Sequence, residues 1–358
     1  YSQHLLDFIN EQVTIFAPNE SINFEDNNNV RRCWDLDVNN EQNLDNLFQE
    51  IINNKITTTI IQFNYGFFNF HTFSEFLEKL INKKIKIIIF LHSTIDPTNN
   101  NKSLIDLKQS FLKCHRIFAH SPSDLNRLKK IGLIQNSYIF PHGILDFDIS
   151  NYSQSNSLSH FSINQKINIA TYGFCLPNKG FRELIEAIKM LIELNYDISL
   201  SLYTAIHSSE LSIIHFQELK VLISQLKLEH SVKLDNFYYS DIDTLRNLAT
   251  KDLIIFPYQS SQESSSASVR HGLSAGPPVL VTPSSIFEDL ASVVHTLPGT
   301  SPKDIADGIH NWFEKGSVSN QASVNKRIQH WRKQHQFSVL GRRLEGTIRS
   351  LELSNDFN

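Results

Sequence analysis

Apolar residues recur along most of this chain at two alternating spacings. Residues 57–64, TTTIIQFN, form a run expected of a buried strand. The next segment, FHTFSEFLEKLINKK, sets its apolar residues at helical spacing. IKIIIFLHS (85–93) reads as another strand and SLIDLKQSFLKCH as a helix. RIFAHS follows as a short strand, and PSDLNRLKKIG as a helix with proline near its start and glycine after its end. SYIFPHG closes the series. The opening, YSQHLLDFIN, already reads as a helix. A β/α series normally begins on a strand, so a first strand and its turn are expected upstream of residue 1.

A polar stretch rich in Ser and Asn, residues 148–166, then interrupts the alternation. The pattern restarts with INIATYGF (167–174) and KGFRELIEAIKMLIELN, and continues through ISLSLYTA, a long helical run, SVKLDNF, DIDTLRNLAT and DLIIFPY. From about 302 to 355 the chain reads as helical, broken near Gly316. Repeated β/α alternation predicts parallel sheets with helices on both faces. The fold class expected is therefore α/β, with two Rossmann-like domains facing across a cleft. The first runs over 1–150, a linker over 151–166 and the second over 167–335. A C-terminal helix within 336–358 is expected to pack back on the first domain. Ligands in such folds sit at the carboxyl ends of the strands.

Composition narrows this picture. A chain of 358 residues exceeds what one core usually organises. The net charge of −4, with acids and bases spread over both halves, argues against nucleic acid as the main partner. The run Lys83, Lys84, Lys86 reads as a solvated edge. Three cysteines, Cys33, Cys114 and Cys175, show no metal-like spacing and suit a reducing compartment. No apolar run is long enough to span a bilayer. The expectation is a cytoplasmic protein, at most peripheral to the inner face of a membrane.

Two segments can carry chemistry. After the strand ending at Gly173, a short loop presents Lys179-Gly180 before a helix, where a lysine can reach an anion near the helix start. A solvated lysine beside a turn glycine explains the loop alone equally well. The second segment is QESSSASVRHGLSAGPPVLVTP (262–283). Helix-start amides lack intrahelical partners, and Ser264, Ser265 and Ser266 are small enough to let a ligand approach, with Glu263 able to accept from its hydroxyls. An ordinary serine N-cap explains that segment alone. Tyr65 and Gly66, in YGFF after a strand, are candidates for one wall of a binding site, since aromatic rings stack on flat ligand faces; core packing accounts for them as well. His120 ends a strand and suits a structural hydrogen bond.

Taken together, the segments resemble the retaining glycosyltransferases of the two-Rossmann-domain (GT-B) type, particularly the large family four. Those enzymes carry G-R-x-x-x-x-K-G and then E-G-F-G-x-x-x-x-E-A-x-A-x-G-x-P-V. Here Gly173, Lys179 and Gly180 match the first pattern, and Glu263, Gly276, Pro278 and Val279 the second without a gap. FLHS (90–93), AHS (119–121) and FPHG (140–143) are similar to the family's first-domain strand ends.

The resemblance implies transfer of a sugar, with retention, from a nucleotide-diphosphate donor to a saccharide or lipid-linked saccharide hydroxyl in bacterial surface polysaccharide or glycoconjugate synthesis. It implies no cofactor and no protein-held metal, and leaves room for further domains upstream. Lys179 would hold the diphosphate, Glu263 the transferred sugar, and the amides of Ser264 to Ser266 both. His92 would lie close to the sugar, and His142 at the cleft near the hinge. Two positions depart from the pattern. Phe174 stands where the family has arginine, and His271 where it has a second, ribose-binding glutamate. Arg270, beside it, is a candidate for restoring a phosphate contact. The departures keep two rivals open: a non-catalytic sugar- or nucleotide-binding module, and a nucleotide-sugar epimerase.

Overall fold

The computed structural model describes residues 1–19, 26–37, 42–98, 101–150, 166–261, 265–315 and 321–353. These gather into two compact α/β units. One comprises Tyr1–Gly143, Gln262–Ser265 and Phe337–Asn358; the other comprises Ile144–Ser261 and Ser266–Gln336.

In the first unit, helix α1 (Ser2–Leu6) precedes a parallel pair, β1 (Ile15–Pro18) and β2 (Val30–Trp34). After α2 (Asp45–Asn53) come β3 (Thr58–Phe63), α3 (Phe70–Asn82), β4 (Lys86–Leu91), α4 (Lys108–Leu112), β5 (Arg116–Ala119), α5 (Pro122–Lys130) and β6 (Ser137–Ile139). Strands β3 to β6 form a parallel sheet in chain order. Ile87 to Leu91 of β4 are wholly buried, as expected of a parallel strand covered on both faces. Asn69 caps α3 and Ser121 caps α5, with proline at the first position of α5. The pair β1–β2 and helix α2 have no counterpart in the alternation read from sequence. Lys83 and Lys84 are exposed as expected, but Lys86 is drawn into the start of β4.

The second unit runs β7 (Ile167–Tyr172), α6 (Phe181–Glu193), β8 (Ile198–Tyr203), α7 (Glu210–Gln225), β9 (Val232–Asp235), α8 (Asp241–Ala249) and β10 (Leu253–Phe256). It continues with α9 (Ala267–Ala275), β11 (Val279–Val281), β12 (His295–Thr296), α10 (Pro302–Lys315) and α11 (Gln321–His335). Its six parallel strands lie in the order β12-β11-β10-β7-β8-β9. This is the doubly wound Rossmann order. The chain leaves the centre in one direction after β7 and in the other after β10, so the carboxyl ends of those two strands flank the switch point where such sheets bind ligands.

The boundary between units differs from the sequence reading. Residues 144–150 belong to the second unit, not the first. The Ile144 amide donates to the carbonyl of His335 (2.8 Å) and the Leu145 amide to Ser274 Oγ (3.1 Å). Leu145 and Phe147 pack on the second unit's core. All but the last residue of the expected linker, 151–166, lies outside the described residues.

The last helix, α12 (Phe337–Leu353), belongs to the first unit. Gly341 lets it approach α1 closely, since a side chain there would meet the Leu5 carbonyl at 2.8 Å. Arg349 pairs with Glu345 and Glu11, and Glu345 accepts from Asn10.

Candidate active site

In the second unit, β7 delivers the chain to Gly173 and a short loop ending in the 3-10 turn Pro177–Lys179. Gly180 adopts φ of 72° and caps α6, whose first turn receives no side-chain cap. Its amides are thus available to an anion. Lys179 is buried, at 8% exposure. Its Nζ stands 4.0 Å over the ring of Tyr258, two residues beyond β10. Among the described residues it has no ion-pair partner. Tyr258 Oη shares a hydrogen bond of 3.0 Å with Ser266 Oγ, which in turn accepts from the Val269 amide and caps α9. The structure therefore joins the loop after β7 to the start of α9 through Tyr258, on either side of the switch point. A buried ammonium over an aromatic face, beside a helix start without a side-chain cap, is an arrangement that can receive negative charge, although Glu183 already places a carboxylate in that first turn.

The serine-rich segment is described only from Ser265 onward; Glu263 and Ser264 lie outside the described residues. Ser266 is the helix cap. Ser265 Oγ is buried without a hydrogen-bond partner among the described residues.

Arg270 is not available to a phosphate. At 2% exposure it ion-pairs with Asp289 and donates to the Ser266 carbonyl at 3.0 Å. On a helix whose neighbouring face is buried, the guanidinium points into the core and braces the cap residue. His271 stands near the surface. Its Nδ1 lies 3.0 Å from the Ala267 carbonyl and its Nε2 3.0 Å from Asp241 Oδ1, with the Tyr172 ring 5.2 Å away. Asp241 opens α8 and also sets a carboxylate beside His271. Phe174 is 41% exposed, edge-on to His207 and near-parallel to Tyr238 at 6.3 Å.

In the first unit, register places His92 and His120 side by side. Leu91 pairs with Ala119, and each histidine follows its strand by one residue. His92 Nδ1 lies 3.3 Å from His120 Nε2; His92 Nε2 lies 2.7 Å from Gln62 Oε1. Burial pushes His92 down to about 4, so the ring is neutral near neutral pH. His142, buried, sits 5.3 Å from the His120 ring and 4.7 Å from Tyr1. The strand ends FLHS, AHS and FPHG thus form a row of three imidazoles.

Tyr65 is no acceptor wall. It is buried, and its hydroxyl donates to Asp96 at 2.7 Å, fixing the loop that Asp96 also holds through Ser103 and the Leu104 amide. Gly66 sits on an exposed turn closed by Asn64. Sequence reading missed Tyr258, Gln62 and Asp289; only contacts distant in sequence reveal their roles.

Among the described residues, no group of three or more His, Cys, Asp or Glu side chains is arranged to hold a metal ion. No described helix is long and apolar enough to cross a membrane.

The fold is that of GT-B glycosyltransferase structures: α/β with parallel sheets. No protein-family model matches the chain, and no curated protein sequence does. Among solved structures, HepE of Anabaena in complex with UDP is similar at 16% identity and a TM-score of 0.65, over 85% of this chain and 82% of that one. A glycosyltransferase from Rickettsia africae is similar at 14% identity and 0.64, over 87% and 79%. Sucrose-phosphate synthase from Thermosynechococcus elongatus is similar at 10% identity and 0.67, over 95% and 88%.

Proposed function

We propose that this protein is a glycosyltransferase that moves a sugar, with retention, from a nucleotide-diphosphate donor to a saccharide or lipid-linked saccharide hydroxyl. The observation that carries the reading is Lys179: a buried ammonium, without an ion pair among the described residues, at the switch point of a Rossmann sheet. The donor diphosphate would supply the missing negative charge. As the glycosidic bond to the diphosphate breaks, charge grows on the leaving oxygen, and Lys179 with the first-turn amides of α6 would stabilise it. Solved structures of the same fold lend support, since HepE has been crystallised with UDP and with UDP-glucose. Glu263 and His92 would orient the transferred sugar, and the acceptor would attack on the face the diphosphate leaves. No protein-held metal enters this scheme. Work on cell-surface polysaccharide at the cytoplasmic side of a membrane is the setting that fits the resemblance.

Titration calorimetry with UDP, GDP, ADP and dTDP tests the reading. One nucleotide should bind the wild type, and Lys179→Ala should abolish that binding without loss of fold. A nucleotide at a hundred times its Kd should stabilise the wild type by about 2.7 kcal/mol and leave the variant unmoved. Equal binding by both proteins, or none to the wild type, refutes it. A second reading, a binding module without turnover, draws on His271 and its bonds to Asp241 and Ala267 where the family has a glutamate. It predicts nucleotide-sugar binding with neither transfer nor hydrolysis.

A further inference from the structure

Between residues 105 and 139 the chain carries six lysines and arginines against two aspartates, a balance of +4 in a protein whose total is −4. One of those aspartates, Asp124, is buried and paired with Arg127. The same stretch holds five exposed large apolar side chains: Ile105, Leu112, Ile134, Tyr138 and Ile139. Contacts within the first unit bring them to one edge. The 3-10 turn Leu104–Leu107 runs into α4, so Ile105, Lys108 and Leu112 follow one another at helical spacing. Lys108 reaches the loop after α5, where a Cβ on Gly132 would lie 2.7 Å from its Nζ. Asn136 donates to the carbonyls of Phe111 and Cys114, at 2.8 and 2.7 Å, and so fastens the loop carrying Ile134 to the end of α4. Strand β6 follows as the edge strand of its sheet, with Tyr138 and Ile139 both exposed and the Arg116 guanidinium 5.1 Å from the Tyr138 ring. Lys129 and Lys130, also exposed, close α5 just before Gly132.

We infer that this edge of the first unit, from α4 through the loop after α5 to β6, is a docking surface for an anionic membrane. Exposed apolar residues scattered singly need no explanation, but five on one edge, interleaved with cations, do. Ile134 is 60% exposed and Ile105 55%. Two copies of the chain meeting by this face would set its cations against each other. An anionic bilayer satisfies both features at once. The isoleucines and the tyrosine enter the headgroup layer, while the lysine and arginine stems lie along apolar surface with their charges among the lipid phosphates. What the docking serves rests on the function proposed above; the docking does not. Ile139 ends β6 three residues before His142, so a lipid-linked acceptor in that bilayer would meet the protein close to the strand ends.

Flotation of the full chain with lipid vesicles tests this without any sugar substrate. The wild type should float with vesicles of one part phosphatidylglycerol to three parts phosphatidylcholine, and not with phosphatidylcholine alone. Added salt should weaken that binding. Lys129→Gln with Lys130→Gln should weaken it at least about tenfold. Lys326→Gln with Lys333→Gln, the same charge change at exposed positions on α11 of the second unit, should leave it nearly unchanged. A polarity-sensitive dye on Ile134→Cys should shift to the blue on the anionic vesicles, the three native thiols being buried. The inference is overturned if the wild type binds neither vesicle or both alike. It is also overturned if the α11 pair weakens binding as much as the α5 pair, or if the dye stays in water while the protein floats. A dimer that Ile134→Ser dissolves, with no flotation of the wild type, gives the face to a second copy and overturns it too. Should the α5 pair fail to fold by circular dichroism, the dye result decides. Vesicle binding without sugar transfer counts against the proposed function alone.

Discussion

Replacing Gly180 with alanine tests how tightly the loop after β7 is built. The residue has φ of 72°, and an added Cβ would lie 1.8 Å from the Pro257 carbonyl oxygen and 2.9 Å from Gln259 Nε2. The obstacle is backbone, which a rotamer change cannot relieve. Left-handed geometry costs alanine about 1–2 kcal/mol. Forcing Pro257 away adds about 1–3 kcal/mol, the usual range for overpacking. The Gln259 amide bond to the Asn178 carbonyl, 2.9 Å, ties the same two loops and would be pulled with them. Together the two terms give about 2–5 kcal/mol, or a fall in Tm of about 4–20 °C for a unit of this size. Circular dichroism melts of the full chain measure it. Gly346→Ala is the control: its Cβ would meet nothing within 4 Å on α12, so Tm should hold or rise, alanine being the better helix former by up to about 1 kcal/mol. A Gly180→Ala protein that melts with the wild type would refute the close approach of the two loops. A protein that folds but loses nucleotide affinity would show the strain passing to Lys179.

Other perturbations probe different features. Arg270→Met strands Asp289 beside the core and should cost about 3–5 kcal/mol by urea denaturation, while Arg270→Met with Asp289→Leu should recover much of it. His92 carries a pH dependence whose sign is fixed: the folded value of about 4 lies below the ordinary 6.5, so the unfolded chain takes up the proton first and stability falls as pH drops from 6.5 to 4. The loss attributable to His92 amounts to about 3 kcal/mol, and urea titrations at both ends of that window should show a smaller drop in His92→Gln. All three thiols are buried, and burial raises Cys33 and Cys175 to about 11 and Cys114 to about 12, so a thiol reagent should label the native protein slowly and all three sites once urea unfolds it.

The β/α alternation was readable because apolar runs such as IKIIIFLHS announce buried parallel strands, and α3, α5, α8 and α9 between them carry side-chain caps. The pair β1–β2 was not, because β1 is only half-buried throughout and β2 buries just its last two residues, so neither alternates clearly. Residues 144–150 read as the end of the first domain, yet hydrogen bonds to residues far along the chain assign them to the second unit. Lys179 and Gly180 were legible as a loop, since lysine before a left-handed glycine at a helix start is a local signal. What lies beneath them was not: Tyr258 reaches Lys179 across the sheet's switch point, a relation set by strand order. Arg270 misled because a charged residue in a helix is read as surface until its buried partner, Asp289, is seen. Tyr65 misled in the opposite sense, its hydroxyl being spent on Asp96.

Because α12 completes the first unit from far along the sequence, that unit joins Tyr1–Gly143 to a helix roughly 190 residues further on. At ribosomal rates of about 5–20 residues per second, its larger piece waits about 10–40 seconds for the helix that covers it. The second unit, interior to the chain, can finish first. During synthesis, residues 1–143 therefore stand without α12 until all the residues of the second unit have been made, an interval in which a chaperone has something to protect.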